Sequence, residues 1–276
     1  MQIKCNEVTY FVEVYGKGEP LLLLHGFTGD HSTWGNLVKK MQKNYLCIVP
    51  DIIGHGRSES PIDSARYSME NVSADMKKIL MTLNVEKCHV LGYSMGGRLA
   101  LQFSVLFPEC VKTLILESAS PGLLLAEERE QRVEQDNKLA DLIEKEGMKS
   151  FVEYWQSIPL FKTQEKLTEE KKASIYEQRL RNNKVGLANS LRGMGTGVQQ
   201  SLWKELVNMR FPVLLLTGEY DEKFCKIAEK MSVMLQNCEW QTISEVGHAI
   251  HVEDSEMFGR IVSGFIEKWK EREYGN

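Results

Sequence analysis

Residues 88–107 read CHVLGYSMGGRLALQFSVLF, and this stretch decides the fold. An apolar run typical of a buried strand ends in GYSMG at 92–96, and an apolar helical pattern follows without a break. A G-x-S-x-G at such a junction is typical of a sharp strand-to-helix turn that presents its serine at the carboxyl edge of a sheet. Glycines suit that turn because a Cβ on either side would collide with neighbouring backbone. Ser94 is therefore the first candidate reactive residue.

Further apolar runs of strand type lie on both sides of this stretch. They are LLLL at 21–24, LCIVP at 46–50, VKTLIL at 111–116 and PVLLLTG at 212–218, and residues 1–16 alternate like a β-hairpin. Helical patterns occur near 70–83, 95–107, 223–236 and 254–272. Strands that are apolar throughout are buried on both faces, which is typical of a parallel sheet covered by helices. We predict an α/β fold with a mostly parallel central sheet.

The alternation of strands and helices stops between Ile115 and Val213. The segment there is rich in Arg, Lys and Glu and has a helical period, and the glycines of GMGTG at 193–197 predict a bend. A connection this long inside a compact protein is expected to carry structure of its own. We predict a helical cap over residues 122–205, inserted after the sixth strand, and a core formed by residues 1–121 and 206–276.

A serine hydroxyl becomes reactive when an imidazole accepts its proton and a carboxylate orients that imidazole. In a sheet of this kind the three groups follow in the order Ser, Asp or Glu, His. Asp221 comes directly after PVLLLTG, with Glu219 and Glu222 as alternatives. His248 in the segment GHA follows a predicted short strand, QTIS at 241–244, and precedes the last helix; it is the expected base. His251 lies in the same loop and is its competitor.

Stabilising an oxyanion takes two backbone N–H groups aimed at one point. One comes from the residue after the serine, Met95, and the other from the loop after the third strand, where Phe27 follows LLLLHG. His25 is interpreted as a residue that shapes this loop. The turn DIIGHGRS at 51–58 is interpreted as scaffold at the same edge of the sheet.

Composition excludes several classes of function. The chain has 276 residues, 42% of them hydrophobic and 26% charged, with a formal net charge of -4. Such a balance gives no general attraction to nucleic acid or anionic lipid, and no run reaches the length of a membrane span. The six cysteines form no CxxC pair, and no spacing typical of a metal, phosphate or dinucleotide site occurs. We expect a cytoplasmic protein that needs no cofactor or metal.

Six motifs together resemble one known family. HGFTGD, DxxGHGRS, GYSMGGR, ESASPGL, GEYDEKF and GHAIH extend over nearly the whole chain. They are similar to the 2-succinyl-6-hydroxy-2,4-cyclohexadiene-1-carboxylate synthases of menaquinone biosynthesis, which have the α/β-hydrolase fold. The resemblance implies an enzyme that eliminates pyruvate from a small polycarboxylate, with the serine acting as a base towards a carbon-bound proton. The segment DIIG departs from the family because many relatives have a proline before GHG.

The resemblance also implies residues that bind the substrate carboxylates. Arg98 follows Ser94 by one helical turn and can reach the same pocket. The other positions that correspond to family residues are Arg132, Arg179, Tyr93 and Trp155, with Arg129 and Arg181 as the nearest substitutes for the two cap arginines. Guanidinium suits this task because it binds a carboxylate with two hydrogen bonds and stays charged.

Two other functions stay open at this point. A serine hydrolase of the same fold could act on an acidic ester, a thioester or a diketo acid with the same three residues. A protein that binds a ligand without turnover is the second alternative, against which the complete Ser-Asp-His set counts. The sequence leaves the oligomeric state open between a monomer and a small homo-oligomer.

Overall fold

The computed structural model describes the backbone of residues 1–274 and the side chains of residues 1–270. One sheet of eight strands runs through this part of the chain. The strands are β1 Gln2–Cys5, β2 Val8–Tyr15, β3 Glu19–Leu24, β4 Tyr45–Pro50, β5 Cys88–Tyr93, β6 Val111–Glu117, β7 Val213–Gly218 and β8 Cys238–Ile243. The helices are α1 Gly35–Met41, α2 Met69–Thr82, α3 Met95–Leu106, α4 Ala126–Ser157, α5 Glu169–Leu180, α6 Lys184–Met194, α7 Glu222–Ser232, α8 Ile250–Glu253 and α9 Ser255–Tyr274.

The strand order in the sheet is β1-β2-β4-β3-β5-β6-β7-β8. Strands β3 to β8 pair in parallel, while β1 and β2 form an antiparallel hairpin whose second strand pairs antiparallel with β4. Its two-residue turn, Asn6-Glu7, has positive φ at both positions, as a hairpin turn matched to strand twist requires. The predicted class, an α/β fold with a mostly parallel sheet, is confirmed.

Helices cover both faces of the sheet. Successive residues of a strand point to opposite faces, so both sets of side chains are buried. In β3, Leu22 and Leu24 pack in the apolar layer with α2, α3 and α7, while Leu21 and Leu23 pack in the layer with α1 and α9. All four of these leucines are fully buried. Burial on both faces explains why residues 21–24 are apolar without a break.

Helices α4, α5 and α6 all lie between β6 and β7, inside the segment predicted to be a cap. They have an apolar cluster of their own, formed by α4 residues such as Phe151 and α6 residues such as Leu187. The backbone of α4 is interrupted at Gly147, where φ is 81°. The division of the chain at 122 and 205 into core and cap stays a prediction.

The last two elements differ from their predicted bounds. Strand β8 begins at Cys238, three residues before the predicted QTIS. It is the edge strand and its residues are partly buried or exposed, so the apolar signal for its first residues is weak. The last helix is preceded by a separate short helix, α8, which carries His251. None of the helices in the described residues has the length and hydropathy needed to cross a membrane.

Candidate active site

Ser94 lies at the junction of β5 and α3 in a strained backbone conformation. Its φ is 51° and its ψ is -108°, which costs a non-glycine residue about 1–3 kcal/mol. The Ser94 N–H donates to the carbonyl of Glu117 at 2.9 Å, and the Arg98 N–H donates to the Ser94 carbonyl at 3.0 Å. These two hydrogen bonds tie the strained residue to β6 and to the first turn of α3.

The close packing around this turn explains its glycines. A Cβ on Gly92 would lie 2.2 Å from the carbonyl oxygen of Gly96, and one on Gly96 would lie 2.1 Å from that of Leu24. These neighbours are backbone atoms, which cannot rotate away as a side chain can. Helix α3 therefore approaches β3 and β5 at a distance that only glycine permits.

His248 connects Ser94 to Asp221. Its Nε2 lies 3.0 Å from Ser94 Oγ, and its Nδ1 lies 2.6 Å from Asp221 Oδ2. The Asp221 carboxylate accepts a hydrogen bond from the Nδ1–H, so the lone pair of Nε2 faces the serine hydroxyl. Both His248 and Asp221 are buried, so the three groups interact away from bulk water.

The competing residues have other partners. The His251 ring lies against Glu117, with Nδ1 within 2.8 Å and 2.9 Å of the two carboxylate oxygens, and its backbone N–H also donates to Glu117. Glu219 accepts a hydrogen bond from the Glu245 N–H, and the exposed Glu222 lies 3.9 Å from Lys226. Of the two histidines, His248 is the one that hydrogen-bonds to Ser94 in the described residues.

Two backbone N–H groups lie beside Ser94 without a protein acceptor in the described residues, those of Phe27 and Met95. Met95 is the first residue of α3, where helical N–H groups have no intrahelical partner. Phe27 is the second residue of a turn closed by a 3.0 Å hydrogen bond from the Gly29 N–H to the Gly26 carbonyl. Both residues line the cavity that contains Ser94.

The third residue of this turn, Thr28, is strained. Its φ is 68°, and a β-turn with positive φ at its third residue usually has glycine there. The Thr28 carbonyl accepts one hydrogen bond from Gln178 Nε2 and one from Asn182 Nδ2, each at 2.9 Å. Two such bonds contribute about 1–3 kcal/mol, which is comparable to the strain of about 1–3 kcal/mol. Side chains from the segment between β6 and β7 therefore stabilise this turn.

The neighbouring loops form a connected scaffold. His25 is fully buried, and its Nε2 accepts the Ile52 N–H at 2.9 Å, as expected for a residue that shapes its loop. Asp30, His31 and Asp51 lie close enough together to hold a cation. The Asp51 oxygens, however, already accept three hydrogen bonds, two from His31 and one from the Arg57 N–H. This cluster is thus explained as a brace between the loops.

Arg98 lines the Ser94 cavity, which has a volume of about 370 Å³. Its Nη1 donates to the Met194 carbonyl and to Gln199 Oε1, both at 2.8 Å. Burial, and to a smaller extent the charge of Arg132, lower the pKa of Arg98 to about 9. A buried cation with only neutral acceptors is stabilised by an anion, so this cavity favours an anionic ligand.

Three other predicted residues share this cavity. Arg132, from α4, lies 2.8 Å from Asp136 through its Nε and is about one third exposed. Trp155 and Tyr93 form aromatic walls, with the Tyr93 ring 5.4 Å from the His248 ring. Burial raises the pKa of Tyr93 well above its ordinary value, so its phenol stays protonated.

Arg179 lies apart from this group. It lines a neighbouring cavity of about 540 Å³, which shares Phe27, Tyr93 and Phe161 with the Ser94 cavity. Its guanidinium stacks 4.9 Å from the Phe161 ring centre and is 7% exposed. The structure thus brings four of the five predicted binding residues together with Ser94 and places the fifth behind an aromatic wall.

The two substitute arginines have other positions. Arg129 donates to the carbonyls of Leu123 and Leu124, and Arg181 is 62% exposed with Asp30 3.9 Å away. Neither residue lines the Ser94 cavity. The geometry therefore favours Arg132 over Arg129 for that cavity.

Some residues of the site were missed from the sequence. Lys223 and Lys230 of α7 line the Ser94 cavity together with Ile227. Their spacing of four and three residues is that of one helix face, a signal that could have found them. Gln199, the partner of Arg98, follows α6 in the chain and has no local signal of this kind.

Comparisons with known proteins agree with this geometry. The chain matches the α/β-hydrolase fold family over residues 19–255. It is 44% identical over 248 residues to a Bacillus subtilis (strain 168) protein provisionally assigned as 2-succinyl-6-hydroxy-2,4-cyclohexadiene-1-carboxylate synthase, covering 90% of each chain. It is 31% identical over 234 residues to the synthase of that name from Klebsiella pneumoniae subsp. pneumoniae, covering 84% of this chain and 87% of the other.

A solved structure extends the similarity to three dimensions. MenH from S. aureus superposes with a TM-score of 0.90 at 35% sequence identity, covering 95% of this chain and 98% of the other. The chain therefore belongs to the α/β-hydrolase superfamily and, within it, to the 2-succinyl-6-hydroxy-2,4-cyclohexadiene-1-carboxylate synthase family.

Proposed function

We propose that this protein is a carbon-oxygen lyase of menaquinone biosynthesis. It eliminates pyruvate from 2-succinyl-5-enolpyruvyl-6-hydroxy-3-cyclohexene-1-carboxylate and yields 2-succinyl-6-hydroxy-2,4-cyclohexadiene-1-carboxylate. The observation that carries the proposal is that Ser94 shares one cavity with the buried guanidinium of Arg98, whose hydrogen-bond acceptors in the described residues are a carbonyl and an amide oxygen and not a carboxylate. An apolar ester would leave that charge without an anion, whereas a polycarboxylate supplies one.

The proton transfer follows from the hydrogen bonds of the triad. His248 takes the hydroxyl proton of Ser94 through Nε2, and Ser94 Oγ takes the carbon-bound proton of the substrate. Asp221 stabilises the imidazolium that forms. The electron pair of the broken C–H bond passes through the enolate of the succinyl carbonyl and forms the C2=C3 double bond. The existing C3=C4 double bond shifts to C4=C5, and the C5–O bond to the enolpyruvyl group breaks. The proton is returned to that group, which leaves as pyruvate, so no water is consumed.

Charge that develops on the substrate during this step needs donors already in place. The N–H groups of Phe27 and Met95, which have no protein acceptor in the described residues, hold the enolate-like oxygen. Arg98 and Arg132 bind carboxylates in the Ser94 cavity, between the rings of Tyr93 and Trp155. Arg179 binds a carboxylate that reaches past the aromatic wall. The cytoplasmic location and the oligomeric state expected from the sequence stay predictions.

The test is an assay that generates the enolpyruvyl substrate in place and follows pyruvate release. Wild type, Ser94→Ala and the matched control Ser104→Ala, in the same helical segment, are compared above the rate without enzyme. Rapid release that Ser94→Ala abolishes and Ser104→Ala retains supports the synthase. Brisk turnover of p-nitrophenyl esters or thioesters with little pyruvate release would make the protein a hydrolase, and binding without any turnover would make it a ligand-binding protein.

A further inference from the structure

We propose that the side-chain amides of Gln178 and Asn182 are positioning residues that hold the Phe27 N–H in place for the reaction. They do so through the carbonyl of Thr28, and we call the two hydrogen bonds the Thr28 clamp. The inference rests on the role proposed above for the Phe27 N–H. Neither amide lines the Ser94 cavity; Gln178 lines the neighbouring cavity that contains Arg179, and Asn182 lines neither of these two cavities.

The clamp joins parts of the chain that are far apart in sequence. Gln178 lies on α5 and Asn182 lies between α5 and α6, about 150 residues after Thr28. Asn182 is 5% exposed, and its Oδ1 also accepts the Gly56 N–H at 2.9 Å. One buried amide thus connects the cap to the Phe27 loop and to the loop that follows β4.

The clamp matters because the turn it holds is strained. Without the two donors, the strain of the positive φ of Thr28 is no longer offset, and the residue relaxes towards negative φ. A turn with negative φ at that position has the Phe27–Thr28 peptide reversed. The Phe27 N–H belongs to the preceding Gly26–Phe27 peptide, which this reversal does not itself turn. It moves because the loop, no longer held at the Thr28 carbonyl, shifts as the turn relaxes, and this shift takes the N–H away from the point it shares with the Met95 N–H.

This arrangement couples the cap to the chemistry. The Met95 N–H belongs to the core helix α3 and is in place whatever the cap does. The Phe27 N–H depends on hydrogen bonds from the cap, and the Phe27 ring also packs 5.3 Å from the ring of Trp155 on α4. The second donor of the oxyanion site is therefore complete only when the cap is docked on the core.

The experiment compares Gln178→Ala/Asn182→Ala with wild type in the pyruvate-release assay. We expect kcat to fall about 10- to 100-fold, since loss of one oxyanion donor costs about 10²–10³, while KM changes less than about threefold. Adding Thr28→Gly, with the Thr28→Gly single variant as reference, restores most of kcat because glycine adopts positive φ without strain. Glu177→Ala, an exposed change on the same helix, is the matched control and keeps wild-type kcat.

A second measurement separates the clamp from the identity of the reaction. Phenylboronic acid forms a bond from Ser94 Oγ to boron, the hydroxyl proton passes to His248, and the anionic adduct occupies the same N–H groups. We expect the clamp variant to bind it at least about tenfold more weakly and Thr28→Gly to recover the affinity. This readout needs no pyruvate elimination, so it stands even where the synthase proposal fails.

Three results would overturn the inference. They are a clamp variant that binds the boronate as tightly as wild type, a loss of kcat that Thr28→Gly does not relieve, and a wild type that fails to bind the boronate at all. Where the alanine pair is too unstable to purify, Asn182→Asp replaces it. Aspartate keeps an acceptor for the Gly56 N–H but cannot donate to the Thr28 carbonyl, and the same outcomes apply.

Discussion

A buried histidine next to the Phe27 loop gives a sharp prediction about acid stability. His55 is 1% exposed, its Nδ1 lies 3.0 Å from the Ile53 carbonyl, and its Nε2 has no partner in the described residues. Burial, assisted by the nearby His25, lowers the pKa of His55 to about 3. The folded protein therefore keeps this ring neutral at pH values where an unfolded chain, with a pKa near 6.5, takes up a proton.

The sign follows from proton linkage. Between pH 7 and pH 5 the unfolded state binds more protons than the folded state, so the free energy of unfolding falls as the pH falls. With an unfolded pKa near 6.5 and no protonation in the folded state, His55 alone accounts for a loss of about 2 kcal/mol over this range. His89, whose pKa burial lowers to about 4, adds a loss of similar size.

The perturbation is His55→Asn, whose amide can still donate to the Ile53 carbonyl. Urea unfolding at pH 5, 6 and 7 gives the free energy of unfolding of wild type and variant. The variant is expected to lose about 2 kcal/mol less than wild type between pH 7 and pH 5. Any packing cost of the substitution is the same at each pH and cancels in this comparison.

His31 is a control of opposite sign. Its hydrogen bond to Asp51 raises the pKa of His31, so its contribution to stability is complete below its unfolded pKa and is lost as the pH rises through the folded value. His31→Asn is therefore expected to destabilise the protein more at pH 5 than at pH 7. Parallel pH profiles for wild type and His55→Asn would refute the reasoning.

Three further predictions concern the site. Gly96→Ala places a Cβ 2.1 Å from the Leu24 carbonyl oxygen and is expected to lower the free energy of unfolding in urea by more than about 3 kcal/mol. The control Gly264→Ala, on the open face of α9, is expected to leave it unchanged or raise it by up to about 1 kcal/mol. Asp221→Asn is expected to lower kcat for pyruvate release about 10³- to 10⁴-fold with little change in KM, because the asparagine amide favours the wrong tautomer of His248. A kcat within tenfold of wild type would contradict this. Arg98→Met is expected to raise KM at least about tenfold and to change kcat less in steady-state kinetics. An unchanged KM would show that Arg98 does not bind a substrate carboxylate.

Local patterns explain why so much of the fold could be predicted. The strand that ends at Tyr93, the turn at Ser94 and the helix that follows are encoded within about twenty consecutive residues, and each is confirmed. Strand β8 was harder to place because an edge strand has little burial and therefore a weak apolar signal. The order of Ser, Asp and His along the chain is likewise a property of the fold that the sequence displays directly.

Which of several similar side chains takes part in the site is decided by the tertiary structure. His248 and His251 are three residues apart and have the same side chain. Which ring faces Ser94 is decided by the carboxylates that hold them, Asp221 for His248 and Glu117, more than 130 residues away, for His251. The three arginines predicted to bind carboxylates differ in location because Phe161 and Tyr93 separate two cavities.

The sequence by itself thus determined the sheet, the turn at Ser94 and the residue types of the site, because hydrophobic period and turn chemistry act between neighbours in the chain. The tertiary structure alone decided the partner of His251, the cavity that Arg179 lines and the amides that hold Thr28. Those outcomes depend on the packing of elements that are 130 or more residues apart. No local pattern records such contacts, since each side chain finds its partner only after the core has formed.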